Sequence, residues 1–420
     1  MTKSNKVKTL FYLFIFFPSL ILLFELISSK ILININKGNN NTIYDPLTGW
    51  RQNCLNNKNN LICDEYGFIK TPYQIKNKSQ NDYGILLLGN SVAMGEGLYG
   101  FDNKKTFASQ LEKHLRNRDD SIDLINGAYS GFNTWQEHVE TYRYLNSQPF
   151  LNKLPSIDLI VSFGGIQDFW NFINLISNAN KPKKLAYSYA NGMMIEKNNI
   201  DYINYLTRSN LGDLKSGINA FINSIRTKST FIKLINIINL RNSKEPGSLE
   251  KIQLTINPEI DLEEYDIEQI LEKRFKIKYK DYEEIKSYAI NSVVRNLSAN
   301  SNLNSEINYF YVYAPTYFSS ISEDQLKSNN FKYVIGINHL IGKPKFPLKI
   351  LEREMKKIEK DYRNSLFEKI REVKSIVFLD YSGKAEDTSW FLDYSHLNAF
   401  AADQISKNLS EDILLFRENK

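Results

Sequence analysis

A chain of 420 residues is long enough for one large domain, or for a domain carrying a sizeable insertion. A hydrophobic share of 42% beside 24% charged residues excludes global disorder. The 53 lysines and arginines are offset by 47 acidic residues, and no long basic block occurs, which argues against a nucleic-acid partner.

The N-terminus carries Lys3, Lys6 and Lys8 ahead of an uncharged run from Thr9 to Phe24, and the apolar character continues past Glu25 to Ile27. Spanning a bilayer takes roughly 20 mainly apolar residues, which this run just supplies. Pro18 would kink such a helix without excluding it. Lysines before the run favour a cytoplasmic N-terminus and leave the remaining chain outside the cytoplasm, in the periplasm if the cell is Gram-negative. A cleaved signal peptide is the rival reading. It is the weaker one, because Leu26 or Ile27 falls where a cleavage site wants a small residue before Ser28-Ser29. Residues 1–35 are therefore read as a cytoplasmic tip and a single transmembrane signal-anchor.

Residues 36–83 read as a linker and N-terminal extension. Lys37 to Thr42 is polar and Gly/Asn-rich, and a turn-rich segment with an aromatic, Tyr44 to Arg51, follows it. Cys54 and Cys63 are the only cysteines. Outside the cytoplasm they either close a small disulfide loop or stay as two free thiols. Nothing around them suggests a metal site, since four ligands at proper spacing are absent.

Residues 84–420 read as the main domain. Ile85 to Leu88, Ile122 to Ile125 and Leu159 to Phe163 are apolar runs of the kind that form buried strands. Phe107, Leu111 and Leu115 recur at a four-residue spacing, which predicts an amphipathic helix over Thr106 to Arg116, and Thr134 to Leu145 predicts another. Strand, loop and helix thus repeat, which argues for a parallel sheet with crossover helices. From Phe169 to about Asn302 the alternation lapses, punctuated by Pro182, Gly192 and Pro246-Gly247. Residues at about 171–302 are read as an insertion or lid, with one or two helices over Ile267 to Leu297. The sheet resumes at Asn308 to Tyr313. A charged helix follows over Leu348 to Val373, then a last strand over Ser375 to Leu379 and a closing helix over Ala399 to Leu409.

Four short segments stand at or near the ends of these strands, where an open α/β sheet builds its sites. Gly89 to Gly95 presents Ser91; Asn126 to Gly131 ends in a glycine; Gly165 to Asp168 holds Gln167; Asp393 to His396 pairs a carboxylate with an imidazole. Each alone has a bland reading as a turn, a surface amide or a surface pair. As a set they supply a nucleophile, oxyanion donors and an oriented base, the minimum for serine-based acyl transfer. The first segment is not the Gly-x-Ser-x-Gly elbow of α/β-hydrolases. Of the four histidines, His114 and His138 sit in expected outer-layer helices with no Asp three residues before, and His339 lies in a loop without a nearby carboxylate. His396 is left as the base, with Asp393 to fix its tautomer.

Over about residues 84–170 and 305–410 these segments resemble the SGNH hydrolases, or GDSL esterases/lipases. Ser91 matches that family's nucleophile, Gly131 its oxyanion glycine and Gln167 its amide donor, with Asp393 and His396 matching its final Asp-x-x-His. Two positions depart from the pattern. Asn90 stands for the usual aspartate and Gln167 for the usual asparagine, whose shorter side chain sets the donor position. The anchor and the Asp45 to Arg51 segment also look like membrane-anchored bacterial members. The resemblance implies a flavodoxin-like three-layer α/β/α sandwich with a parallel sheet, and neither cofactor nor metal. It further implies a serine ester hydrolase or O-acyltransferase; with the expected anchor this would be extracytoplasmic, and an acylated cell-envelope glycan or a lipid is the substrate most consistent with that location. A catalytically impaired glycan-binding or assembly protein of the same fold is the alternative.

Overall fold

The computed structural model describes residues 83–95, 98, 103–151, 156–177, 179, 264–322, 324, 350, 352–386, 388–392 and 394–419. It also describes residues 63 and 68–73, the backbone of 42–45 and 49–52, and isolated positions 19, 23, 24 and 27. Most of the expected anchor and most of the expected insertion lie outside them. No helix among the described residues is long and apolar enough to cross a membrane. The chain forms two units, Met1–Lys58 with Ile195–Ser248, and Asn59–Met194 with Leu249–Lys420. In the first, β1 (Thr42–Asp45) and β2 (Gly49–Gln52) pair antiparallel, so the expected turn-rich segment is a hairpin.

The second unit is built on five parallel strands: β3 (Tyr83–Gly89), β4 (Ile122–Asn126), β5 (Leu159–Gly164), β6 (Asn308–Tyr313) and β7 (Val377–Asp380). Their order is β4-β3-β5-β6-β7. In chain order this is 2-1-3-4-5, a common doubly wound arrangement whose winding direction reverses between the first and third strands, here β3 and β5. Strands β4 and β5 are buried along their whole length, which is why they read as mainly apolar runs rather than alternating ones, with Asp123 and Ser162 among the buried polar exceptions. Ile69 covers the free edge of β4, its N–H donating to the Asn126 carbonyl at 3.0 Å.

Among the described residues the α-helices are α1 (Ser91–Met94), α2 (Phe107–Arg116), α3 (Thr134–Leu151), α4 (Ile166–Ser177) and α5 (Ile267–Ile270), the last running into a π-helical turn over Leu271–Phe275. They continue with α6 (Tyr279–Ser301), α7 (Glu352–Arg371) and α8 (Ala399–Glu418). Strand β6 shows that both faces of the sheet are covered. On one side Tyr309 accepts a hydrogen bond from Asn300 of α6 at 3.1 Å, and Tyr313 donates to Glu359 of α7 at 3.1 Å. On the other, Phe310 meets Phe416 of α8 edge-on at 4.9 Å. Helix α8 packs on α2, whereas α6 packs on α3, α4 and α7. The helix expected over Ala399 to Leu409 continues to Glu418, because Ile413 repeats the four-residue spacing of buried Ile405 and Leu409.

Two features of the packing position the strand ends. Gly89 takes φ +147°, and a Cβ there would lie 2.3 Å from the Phe163 carbonyl oxygen of the neighbouring strand. Below the ends of β5 and β6 lies a buried polar layer. Ser162 donates to Glu137 of α3, and Thr134 donates to Asp168 of α4 through its hydroxyl at 3.2 Å. Burial pushes the Glu137 carboxyl up to about 8, the Ser162 bond opposing this and the nearby Asp168 adding to it. Burial likewise pushes Asp168 up to about 7 against the hydrogen bonds from Thr134.

These features make two predictions. Gly89→Ala should lower the unfolding free energy by about 3 kcal/mol or more, since both the backbone conformation and the close approach oppose a side chain. Denaturant unfolding of the variant measures this, and a loss below about 1 kcal/mol would mean that strand β5 yields. The second concerns pH. Unfolded carboxyls titrate near about 4, so between about pH 4.5 and 8 the native state holds protons that the unfolded chain has released. The stability contributed by Glu137 is therefore complete at low pH and is lost as the pH rises toward 8. Glu137→Gln removes that titration, so wild-type stability should fall relative to the variant from pH 5 to 8. Parallel curves would show that Glu137 is ionised throughout.

Candidate active site

The Ser91 loop is fixed locally. Asn90 caps α1, its Oδ1 accepting the Val92 N–H at 2.9 Å, while Gly95 closes the same helix in the left-handed conformation. Asn90 thus does the loop-supporting work expected of an aspartate at this position. Ser91 is left half-buried at the start of the helix, immediately beyond the end of β3.

The Gly131 loop is tied to the same strand end. Tyr129 donates its N–H to the Gly89 carbonyl at 3.1 Å, and Gly127 donates to Leu87 at 2.8 Å. Gly131 takes φ +75°. Beyond it, Asn133 and Gln136 cap α3 reciprocally: Gln136 N–H donates to Asn133 Oδ1 at 3.2 Å, and Asn133 N–H to Gln136 Oε1 at 3.0 Å. This capping box is legible as Asn133-x-x-Gln136 in the sequence.

His396 comes from the far side of the sheet, on the loop between β7 and α8. A bridge between Phe391 and Leu397 closes this loop, as do the Leu392 N–H to His396 carbonyl bond at 2.7 Å and the Asn398 N–H to Trp390 carbonyl bond at 2.8 Å. Asn398 also caps α8, accepting from Ala401 at 2.9 Å, and its amide donates to the Ser389 carbonyl at 2.7 Å. An Asn directly before a periodic helix was the sequence signal for that clamp. The result is that His396, 3% exposed, places Nε2 2.9 Å from Ser91 Oγ. Asp393 lies outside the described residues.

Gln167 stands on the first turn of α4, and its amide nitrogen contacts Asn171 Oδ1 at 3.5 Å. The structure thus joins Ser91 to His396 and ties the Gly131 loop to the end of β3, while Gln167 meets a partner on its own helix. His114 and His138 lie in helices as expected, and neither has an Asp three residues before it. His114 has a carboxylate partner, Asp403 of α8, at 3.0 Å, supplied by a distant part of the chain. His138 is buried, and burial drives its imidazole down to about 4. Neither ring reaches Ser91 in a recorded hydrogen bond, and His339 lies outside the described residues. Cys63 is disulfide-bonded, and the one other cysteine of the sequence, Cys54, lies outside the described residues. No cluster of metal-ligating side chains occurs among the described residues.

Serine and imidazole at this distance can pass a proton between them, the first requirement for an activated nucleophile. No protein-family model matches the chain, and no curated protein does. Two solved structures are similar to it at low identity. An alpha/beta hydrolase enzyme from the metagenome of Lake Arreo, Spain, is 11% identical with a TM-score of 0.30, covering 78% of this chain and 94% of its own. A protein assigned as a GDSL-like lipase from Parabacteroides merdae is 9% identical with a TM-score of 0.27, covering 81% and 97% respectively. Scores this low leave the fold to rest on the strand order, and the site on its own geometry.

Proposed function

We propose that this chain is an SGNH-type serine ester hydrolase or O-acyltransferase with a flavodoxin-like α/β/α domain. The observation that carries the reading is the 2.9 Å approach of His396 Nε2 to Ser91 Oγ, brought about by two loops more than three hundred residues apart. In this mechanism Nε2 takes the Ser91 proton as Oγ attacks the ester carbonyl, and Asp393 orients the ring through its other nitrogen. The N–H groups of Ser91 and Gly131 and the Gln167 amide hold the tetrahedral oxyanion. Collapse expels the alcohol, which takes the proton from the imidazolium. Water or a sugar hydroxyl then attacks the acyl-enzyme and restores Ser91.

Residues 1–35 anchor the protein in the cell membrane in this proposal, with the catalytic domain outside the cytoplasm. The disulfide at Cys63 supports an oxidising compartment. An O-acylated envelope glycan or a lipid is the substrate class that suits the location. The competing reading is an impaired, glycan-binding or assembly protein. It draws on one observation, that the Gln167 amide is engaged with Asn171 rather than with the Ser91 loop.

A serine-reactive fluorophosphonate separates the two. The full-length chain should be labelled on Ser91, and a folded protein that takes up no label would favour the binding protein. Turnover of p-nitrophenyl acetate should fall by orders of magnitude in Ser91→Ala and in His396→Ala. The double variant should be little worse than either, because the two residues act as one unit. Multiplying losses would mean that they do not share a step.

A further inference from the structure

The departure at residue 167 raises the question of what holds a longer amide in place. Gln167 and Asn171 are four residues apart on α4, so their side chains lie on one face of the helix. The 3.5 Å contact runs from Gln167 Nε2 to Asn171 Oδ1, at the outer limit of a hydrogen bond. A primary amide carries two N–H groups, so a tether on one leaves the other available. It also fixes which way Asn171 points: its oxygen must face the Gln167 donor, and its nitrogen therefore faces away.

Asn171 is 6% exposed, and that nitrogen is buried without a hydrogen-bond partner among the described residues. It lines a small cavity between α3, α4 and α6, of about 20 Å³. Trp135 lines the same cavity at 8% exposure, and its Nε1 is likewise buried without a partner. Asp168 lines it too. Two lining residues with buried, unpartnered N–H donors and a third with a carboxyl, around a space of this size, match the needs of one water molecule. Such a site takes at least about 10–15 Å³ and two to four polar partners.

We propose that Asn171 is a positioning residue for Gln167: a single water, accepting from Trp135 Nε1 and Asn171 Nδ2 and donating to Asp168, fixes the Asn171 amide. The Asn171 oxygen then holds one N–H of Gln167 and leaves the other for the oxyanion. This rests on the esterase reading above. It explains how the chain retains an amide donor although residue 167 is one methylene longer than the family's asparagine. The Asn171 contact is then part of the donor's support rather than a sign of its loss.

A double-mutant cycle on the full-length chain, read with p-nitrophenyl acetate, tests the coupling. Asn171→Ala should lower kcat about tenfold with little change in KM, a fraction of the roughly hundredfold attached to an oxyanion donor. In the Gln167→Ala background the same substitution should change kcat less than twofold. Trp135→Phe keeps most of the ring and removes the N–H, so it should show a smaller loss that also vanishes without Gln167. An Asn171→Ala loss of equal size in both backgrounds would overturn the proposal, since the residue would then serve the fold. An Asn171→Ala variant as active as wild type would overturn it as well. If Gln167→Ala leaves turnover intact while Ser91→Ala abolishes it, the positioning proposal fails and the esterase reading stands. Turnover that survives Ser91→Ala removes the esterase reading itself.

Discussion

The absence of a side chain at residue 89 is the constraint on which the rest of the site depends. Strand β3 ends against β5 so closely that a methyl group at Gly89 would enter the Phe163 carbonyl. The same residue offers its own carbonyl to Tyr129, drawing in the loop after β4. Three strand ends therefore converge where the winding direction reverses, and reversal points are where open α/β sheets leave a crevice. Ser91 stands two residues beyond this junction, too near to move independently of it. The opposite wall must cross from β7, at the far edge of the sheet. That return is stiffened by the bridge at Phe391 and Leu397 and by Asn398, which clamps the loop to the start of α8. A rigid junction on one side and a clamped loop on the other are what let two side chains so distant in sequence meet at hydrogen-bond distance.

The strands of this fold were legible because a parallel sheet covered on both faces needs mainly apolar runs, and β6 was delimited to the residue. Helix ends were less so. The closing helix ran beyond its expected limit because the spacing through Ile413 continues a pattern that looks weak among polar neighbours. The histidines show the sharper limit. Periodicity told that His138 belongs to a helix, but not that the layer beneath that helix is polar and takes the ring inside. The partner of His114 is contributed by α8, and no local pattern announces a contact of that sequence separation. That Ser91 and His396 would lie together was legible because serine-based acyl transfer demands particular residue types after particular strands, and the two side chains do meet. Asn171 obeys a local four-residue spacing from Gln167, yet the spacing acquires meaning only with the cavity behind it.

The buried carboxyls bear on the chemistry through what they are not. Asp168 follows Gln167 directly, and in the proposed mechanism an ionised carboxylate there would oppose negative charge gathering on an oxyanion held by that amide. Desolvation supplies the remedy, since it holds the Asp168 proton to about pH 7 and the Glu137 proton to about pH 8. A protonated Asp168 still accepts the hydrogen bond from Thr134, so the layer keeps its connections while carrying less charge than exposed carboxylates would at neutral pH. Replacing these groups with apolar ones would remove the charge problem as well. It would also remove the links from α3 to β5 and from α3 to α4, made by Ser162 and Thr134. The layer thus joins the helices that carry Gly131 at one end and Gln167 at the other. A polar arrangement beneath the site, at the desolvation cost such groups carry, holds two loops in register with less charge beside them than exposed carboxylates would set there.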